Sequence, residues 1–169
     1  MNAGLRLAAV AALVVLTVTL QISTFSHFAI DGVVPDLALL LVIAAALVRG
    51  PDYAALVGFC AGLVLDLAPP ADHTAGRWAL SLVIVGYLTG LVKGETTNAL
   101  STIVTVAAGA FIGTSVFALT GLILQDPGVS VGTALEVVPI AVLYDVVLTP
   151  LVIPLVLILF RRLEPAERW

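Results

Sequence analysis

Three aspartates and one arginine stand out in this chain because they lie within long apolar stretches: Asp36, Asp66, Asp145 and Arg77. Two carboxyl groups held close together can exchange protons with a substrate, which is the basis of general acid–base catalysis. Inside a membrane the same groups usually find a partner, since an isolated charge there is costly. The residue types therefore leave two interpretations open, an active site or a buried polar layer.

Catalysis has little support in the spacing of these residues. Tyr144 and Asp145 match one motif of the aspartyl intramembrane proteases, but Asp66 is preceded by Leu-Val-Leu rather than by the second motif, Gly-x-Gly-Asp. His27 and His73 fall in predicted loops, and no Ser–His or Cys–His spacing supports nucleophilic chemistry. Metal-binding and nucleotide-binding motifs are absent as well. We therefore expect no enzyme activity, no metal site and no cofactor.

The composition points to a membrane protein. Hydrophobic residues make up 61% of the 169 positions, charged residues make up 11%, and the mean hydropathy is +1.19. A soluble domain of this length has too small a core to bury so much apolar surface. Cys60 is the only cysteine, and no basic patch suggests nucleic-acid binding. The predicted fold is all-α, a polytopic bundle forming one integral membrane domain over residues 1–169.

Six apolar segments are predicted to cross the bilayer, whose core of about 30 Å requires about 20 helical residues. They cover residues 5–24, 33–48, 53–67, 77–92, 99–124 and 137–160. The first is interpreted as a retained helix, because residues 21–24 offer no convincing signal-peptide cleavage site. Gly50 and Pro51 predict a tight turn between the second and third helices. Three prolines predict that the last helix is bent or broken: Pro139, Pro150 and Pro154.

The basic residues predict the orientation of this bundle. One side of the six-helix topology carries Arg6, Arg49, Lys93, Arg161, Arg162 and Arg168. Only Arg77 falls on the other side. By the positive-inside rule both termini are cytoplasmic, and the loops 25–32, 68–76 and 125–136 face outward.

Small residues recur at four-residue steps on three of the predicted helices. The third helix carries Ala54, Gly58 and Gly62 followed by Asp66; the fourth carries Gly86 and Gly90; the fifth carries Gly109 and Gly113. Residues four apart share a helix face, and small residues there allow another backbone to approach closely. Both internal helix packing and binding of a partner helix remain open, with internal packing favoured for each pair.

The charged residues are predicted to form one layer. Counted from the cytoplasmic turns at about 1.5 Å per residue, all four lie roughly 20–24 Å into the membrane. We expect Arg77 to pair with Asp66 or Asp36, and the layer to line an outward depression with Asp145 facing inward. The alternative is that Asp36 and Asp66 cap helix ends beside a snorkelling Arg77.

Four elements of the chain together resemble the MreD family of rod-shape-determining membrane proteins. They are Pro35-Asp36-Leu37-x-Leu39-Leu40, Gly58-Phe59-x-x-Gly62-Leu63-x-x-Asp66, Gly76-x-x-Ala79-Leu80 and Gly86-Tyr87-Leu88-x-Gly90. The resemblance covers the whole chain in layout. It implies a non-enzymatic inner-membrane subunit of the cell-elongation complex that works with MreC. Through MreC it would act on MreB, RodA and a class B penicillin-binding protein, and so on lateral peptidoglycan synthesis. Our hypothesis is that a small-residue face on the third to fifth helices holds MreC's transmembrane helix, and that the polar layer receives its juxtamembrane part.

The resemblance also implies a fold similar to the substrate-binding subunits of energy-coupling-factor vitamin transporters, which supplies the alternative function. In that case Ala8 and Ala12 on the first helix would form a coupling face. The short outer loops, with few aromatic residues beyond Trp78 and Phe28, favour the shape-determining role.

Overall fold

The computed structural model is all-helical over the residues it describes, which are 3–25, 29–30, 32–69, 73–95, 98–126 and 128–163. The helices are α1 (Ala3–Ser23), α2 (Leu37–Arg49), α3 (Pro51–Leu67), α4 (Arg77–Leu91), α5 (Ala99–Ile123) and α6 (Val131–Leu163), with a 3₁₀ turn at Lys93–Glu95. Within these ranges the extended pairing is limited to one isolated bridge between Ile30 and Val33. The predictions made for His27, Phe28 and Arg168 lie outside the described residues.

The helix lengths separate into two groups. Among the described residues, Gly4–Ser23, Ala99–Ile123 and Val131–Leu163 are long and apolar enough to cross a membrane. Helices α2, α3 and α4 have 13, 17 and 15 residues. At about 1.5 Å per residue the three measure roughly 20–26 Å, less than a hydrocarbon core of about 30 Å. Length and composition therefore support three of the six predicted spans.

Helix α2 is the centre of the bundle. Every residue from 37 to 46 is buried, and α1, α3, α4, α5 and α6 all contact this helix. Its residues are apolar on all sides, so each of its faces can pack against a neighbouring helix. The tight turn predicted after it is confirmed: Gly50 has a φ of 85° and donates its N–H to the Ala46 carbonyl at 2.9 Å, and Pro51 begins α3.

Glycines bring α3 and α4 into backbone contact. A Cβ atom at Gly58 would overlap the Leu82 carbonyl, and one at Gly62 would lie 2.5 Å from the Ala79 nitrogen. In the opposite direction, a Cβ atom at Gly86 would lie 2.6 Å from the Ala54 carbonyl oxygen, and one at Gly90 would overlap Pro51. The small residues of both helices thus face each other within one chain.

The glycines of α5 also face the chain's own helices. A Cβ atom at Gly109 would lie 2.8 Å from the Ile43 side chain, and one at Gly113 would lie 2.9 Å from Leu39 and 3.1 Å from Val85. All the small-residue pairs named in the sequence are therefore accounted for by internal packing.

Of the predicted bend or break in the last helix, the break is wrong, because α6 continues without interruption past all three of its prolines. Pro139, Pro150 and Pro154 lie on its exposed face, whereas Asp145 and Thr149 lie on the buried one. Each proline removes one backbone hydrogen bond, but a break would leave several more backbone groups unpaired in lipid. The helix also begins at Val131, six residues before the predicted start at 137.

Replacing Gly62 by alanine is expected to destabilise the protein by about 1–3 kcal/mol, because the added methyl group has no space against the α4 backbone. Gly132→Ala is the matched control, since its nearest neighbour would be the Ser130 hydroxyl at 3.7 Å. The measurement is the temperature at which half of the detergent-solubilised protein stays monodisperse on size exclusion. Equal midpoints for the two variants would contradict the packing described.

Candidate functional site

The first polar site lies at the start of α4, where Asp66 from α3 takes the place of a capping side chain. The residue before the helix is Gly76, which has no side chain to accept a hydrogen bond. Asp66 instead accepts from the backbone N–H groups of Trp78 at 3.1 Å and Ala79 at 3.0 Å. These donors have no partner within their own helix, and the positive end of the helix dipole favours a carboxylate.

The small residues of α3 and the aspartate that follows them therefore act together in capping α4. Gly62 lies one turn before Asp66 and lets the α4 backbone approach α3 closely at Ala79. That approach brings the carboxylate within reach of the two N–H groups. Asp66 is 1% exposed, so both of its oxygens depend on partners inside the protein.

The second polar site surrounds the start of α2. Asp36 accepts from the N–H of Leu39 at 2.9 Å, and the Gln21 side chain of α1 accepts from Ala38 at 2.9 Å. The N–H of Asp36 itself donates to the Asp145 carboxyl of α6 at 2.9 Å. Side chains from two other helices thus complete the capping of α2, which begins inside the bundle and away from water.

Asp145 faces inward, as the sequence pattern predicts, with 1% of its surface exposed. One carboxyl oxygen accepts from Asp36, while the other, Oδ2, is buried and has no hydrogen-bond partner among the described residues. The Thr149 hydroxyl donates to the Asp145 backbone carbonyl at 2.7 Å. A buried carboxyl oxygen without a donor is costly, so this is the position in the bundle where a further donor would be most favourable.

The predicted partner of Arg77 is wrong. Its guanidinium donates to the Asp126 carboxylate at 2.5 Å and to the Phe117 backbone carbonyl at 2.6 Å, and the ion pair is with Asp126 rather than with Asp36 or Asp66. The guanidinium carbon also lies 3.9 Å from the centre of the Phe117 ring. Arg77 is 3% exposed and therefore does not snorkel to the surface.

Asp126 joins the α5–α6 loop to the segment before α4. It accepts from the Thr74 hydroxyl at 2.6 Å and from the Thr74 N–H at 3.1 Å. These bonds, and to a smaller degree Arg77, hold the pKa of the Asp126 carboxyl below its usual value. Gly121 leaves room for the guanidinium, since a Cβ atom there would overlap it.

Phe117, Trp78 and His73 form an aromatic cluster next to the Arg77 site. The Phe117 ring stacks on Trp78 at 4.3 Å between ring centres and meets His73 edge-on at 5.3 Å. His73 in turn lies 3.7 Å from the Asp66 carboxylate. The cluster links the Asp66 site to the Arg77 site at the same end of the bundle.

The four predicted residues thus lie in three polar sites at one end of the bundle, and their common depth in a membrane stays a prediction. A cleft of about 330 Å³ at this end is lined by Gln21, His73, Trp78 and apolar neighbours, whereas the four predicted residues are buried and are not among its lining. Sequence reasoning missed Gln21, Asp126 and Gly121. Asp126 carried a usable signal, since it is one of only two acidic residues in the loop 125–136.

The chemistry of these sites is structural. No group of three or more histidine, cysteine or acidic side chains that could hold a metal ion occurs among the residues that the structure describes. Each carboxylate accepts from backbone N–H groups at a helix start or pairs with an arginine. Such uses of charge fasten helices to one another.

Comparison with known families agrees with a structural role for these polar residues. The model of one family, described as rod shape-determining protein MreD, matches residues 1–163. The chain belongs to the MreD family. No curated protein and no solved structure matches it. Membership assigns it a role in rod-shape determination, within a structural membrane family that is not a known enzyme family, and together with the apolar helices it indicates an integral inner-membrane protein.

Asp66→Asn is expected to lower stability by about 1–3 kcal/mol, because an amide nitrogen would face a backbone donor that it cannot satisfy. Asp52→Asn is the control, since Asp52 is an exposed aspartate in the first turn of the same helix. Thermal unfolding of both variants in detergent would measure the difference. A smaller loss for Asp66→Asn than for Asp52→Asn would rule out the cap across helices.

Asp126→Asn is expected to lower stability at neutral pH, and the difference from wild type should shrink on acidification. The folded-state pKa of Asp126 is depressed, so its contribution is complete above the unfolded pKa of about 3.9 and is lost as pH falls through the folded value. Unfolding midpoints between pH 7 and pH 3 would test this. A difference that stays constant over this range would exclude the linkage.

Proposed function

We propose that this chain is the MreC-binding, non-enzymatic membrane subunit of the cell-elongation complex. The observation that carries the proposal is the family match over residues 1–163. Its effect on MreB, RodA, the class B penicillin-binding protein and lateral peptidoglycan synthesis would be indirect, through MreC. The use of its carboxylates as helix caps supports a scaffold rather than a catalyst.

In this proposal all six helices cross the inner membrane, with both termini in the cytoplasm. The alternation of helix ends supports it: Gln21, Asp36, Asp66 and Asp126 meet at one end, whereas Lys93 donates to the Val48 carbonyl at the other. The second end carries most of the arginines, as expected for a cytoplasmic side. Local thinning of the bilayer would accommodate the short helices.

The binding face for MreC has to lie outside the glycine contacts of α3 and α4, since those contacts are used within the chain. A groove of about 710 Å³ between α4 and α5 is the best candidate. Its α5 wall carries small residues, among them Ser101, Thr105 and Ala108, between larger apolar ones, and its α4 wall carries Val85 and Leu88. Small residues on one wall would allow a single transmembrane helix to pack closely, which is what drives helix association in lipid.

Ala108→Trp is expected to reduce the amount of MreC that co-purifies by about tenfold or more, because the indole ring would fill the groove. The control is Ala12→Trp, which adds the same bulk at an exposed position on α1. Both variants would be expressed with MreC, solubilised and quantified after affinity capture. Normal MreC recovery with a well-folded Ala108→Trp variant would exclude the groove, and equal losses in both variants would exclude it as well.

The alternative function, a substrate-binding subunit of an energy-coupling-factor type transporter, has one observation in its favour. The cleft lined by Gln21, His73 and Trp78 has a volume of about 330 Å³, at the lower limit of small-ligand pockets. The fold similarity on which this alternative rests is itself a proposal. A vitamin retained through purification, without MreC, would favour it.

A further inference from the structure

A second groove lies at the end of the bundle opposite the three polar sites, between α1 and α3. Its volume is about 510 Å³. Its walls are apolar and include Leu7, Val10, Val14, Val57, Cys60 and Val64. From Tyr53 to Val64 the α3 wall is roughly 16 Å long, about half of a hydrocarbon core of about 30 Å. The length of the groove along α3 therefore matches the thickness of one leaflet of a bilayer.

Two arginines line the same groove, Arg6 from α1 and Arg49 from the end of α2. The Nε atom of Arg6 is buried and has no hydrogen-bond partner among the described residues. Arg49 lies over the Tyr53 ring, with its guanidinium carbon 4.3 Å from the ring centre. Neither arginine forms an ion pair within the described part of the chain. Two guanidinium groups and no acidic side chain among the described lining residues give this end of the groove a positive charge.

Among the described residues, no acidic side chain pairs with Arg6 or Arg49. Asp52 follows closely in the chain, but it is exposed and makes no ion pair with any described residue. Arg161 and Arg162, at the end of α6, add further positive charge to this end of the bundle. The ligand that fits must therefore carry a negative group at one end and an apolar chain about one leaflet long.

We propose that this groove binds an anionic phospholipid. Its phosphate accepts hydrogen bonds from Arg6 and Arg49, because guanidinium groups match phosphate oxygens in geometry and charge. One acyl chain lies along the apolar wall past Cys60. The lipid fastens α1, which is largely exposed, to the α2–α3 hairpin. This assignment does not depend on the proposed binding of MreC.

The test is native mass spectrometry of the full-length protein, released from detergent after incubation with dioleoyl-phosphatidylglycerol or with dioleoyl-phosphatidylcholine. Wild type is expected to retain the anionic lipid preferentially, and the double variant Arg6→Gln/Arg49→Gln to lose about tenfold in retention. Arg161→Gln/Arg162→Gln removes the same charge outside the groove and is expected to retain the lipid. Equal retention of both lipids by wild type, or equal losses in the two double variants, would overturn the proposal.

A second pair of variants tests the apolar part of the site and remains informative if the arginine variant does not fold. Cys60→Trp fills the groove without changing its charge, whereas Phe59→Trp adds an indole at an exposed position outside it. Phosphatidylglycerol retention is expected to fall only in Cys60→Trp. Undiminished retention there, or competition by inorganic phosphate at equal concentration, would indicate a phosphate site and contradict the lipid.

The chain end provides the last arm of the test, since Glu164 and Glu167 follow α6 and carry carboxylates of their own. A variant that ends at Leu163 is expected to retain phosphatidylglycerol at least as well as wild type. Loss of retention in that variant would show that lipid binding depends on the chain end rather than on the groove, and would overturn the proposal.

Discussion

The start of a helix inside an apolar bundle imposes the constraint on which this structure depends. Helices α2 and α4 begin where water cannot satisfy their first N–H groups, and each unsatisfied group in lipid costs several kcal/mol. Asp36 supplies one acceptor from α2 itself, and Gln21, Asp145 and Asp66 supply others from neighbouring helices. These polar residues therefore satisfy the first N–H groups of α2 and α4, and so allow both helices to begin inside the bundle.

Close packing follows from the same constraint. A carboxylate has a short side chain, so α3 can cap α4 only if the two backbones nearly touch, and Gly62 removes the atom that would prevent this. Glycine and aspartate at a four-residue step thus form one functional unit. The ion pair of Arg77 and Asp126 then fastens the α5–α6 loop over the start of α4. The charged side chains described here hold the chain's own helices together. This structural role fits a family that determines cell shape without being a known enzyme family.

Since the inner faces are occupied by the chain's own helices, the two proposed binding sites are lateral grooves. The α4–α5 groove and the α1–α3 groove differ in chemistry. The first has small residues on one wall and suits another helix, whereas the second ends in two arginines and suits an anionic lipid. The two proposed sites use different helices, so occupation of one groove would leave the other open.

By itself, the sequence determined the helical class, the helix positions to within a few residues in most cases, the turn at Gly50 and the inward face of Asp145. Hydropathy and four-residue spacing are local properties, and they suffice for these conclusions. Three outcomes depend on tertiary packing: Arg77 pairs with Asp126, Gln21 caps α2, and α6 runs unbroken past its prolines. These outcomes depend on which distant segments meet, and residue spacing along the chain carries no information about a partner that lies 49 positions away.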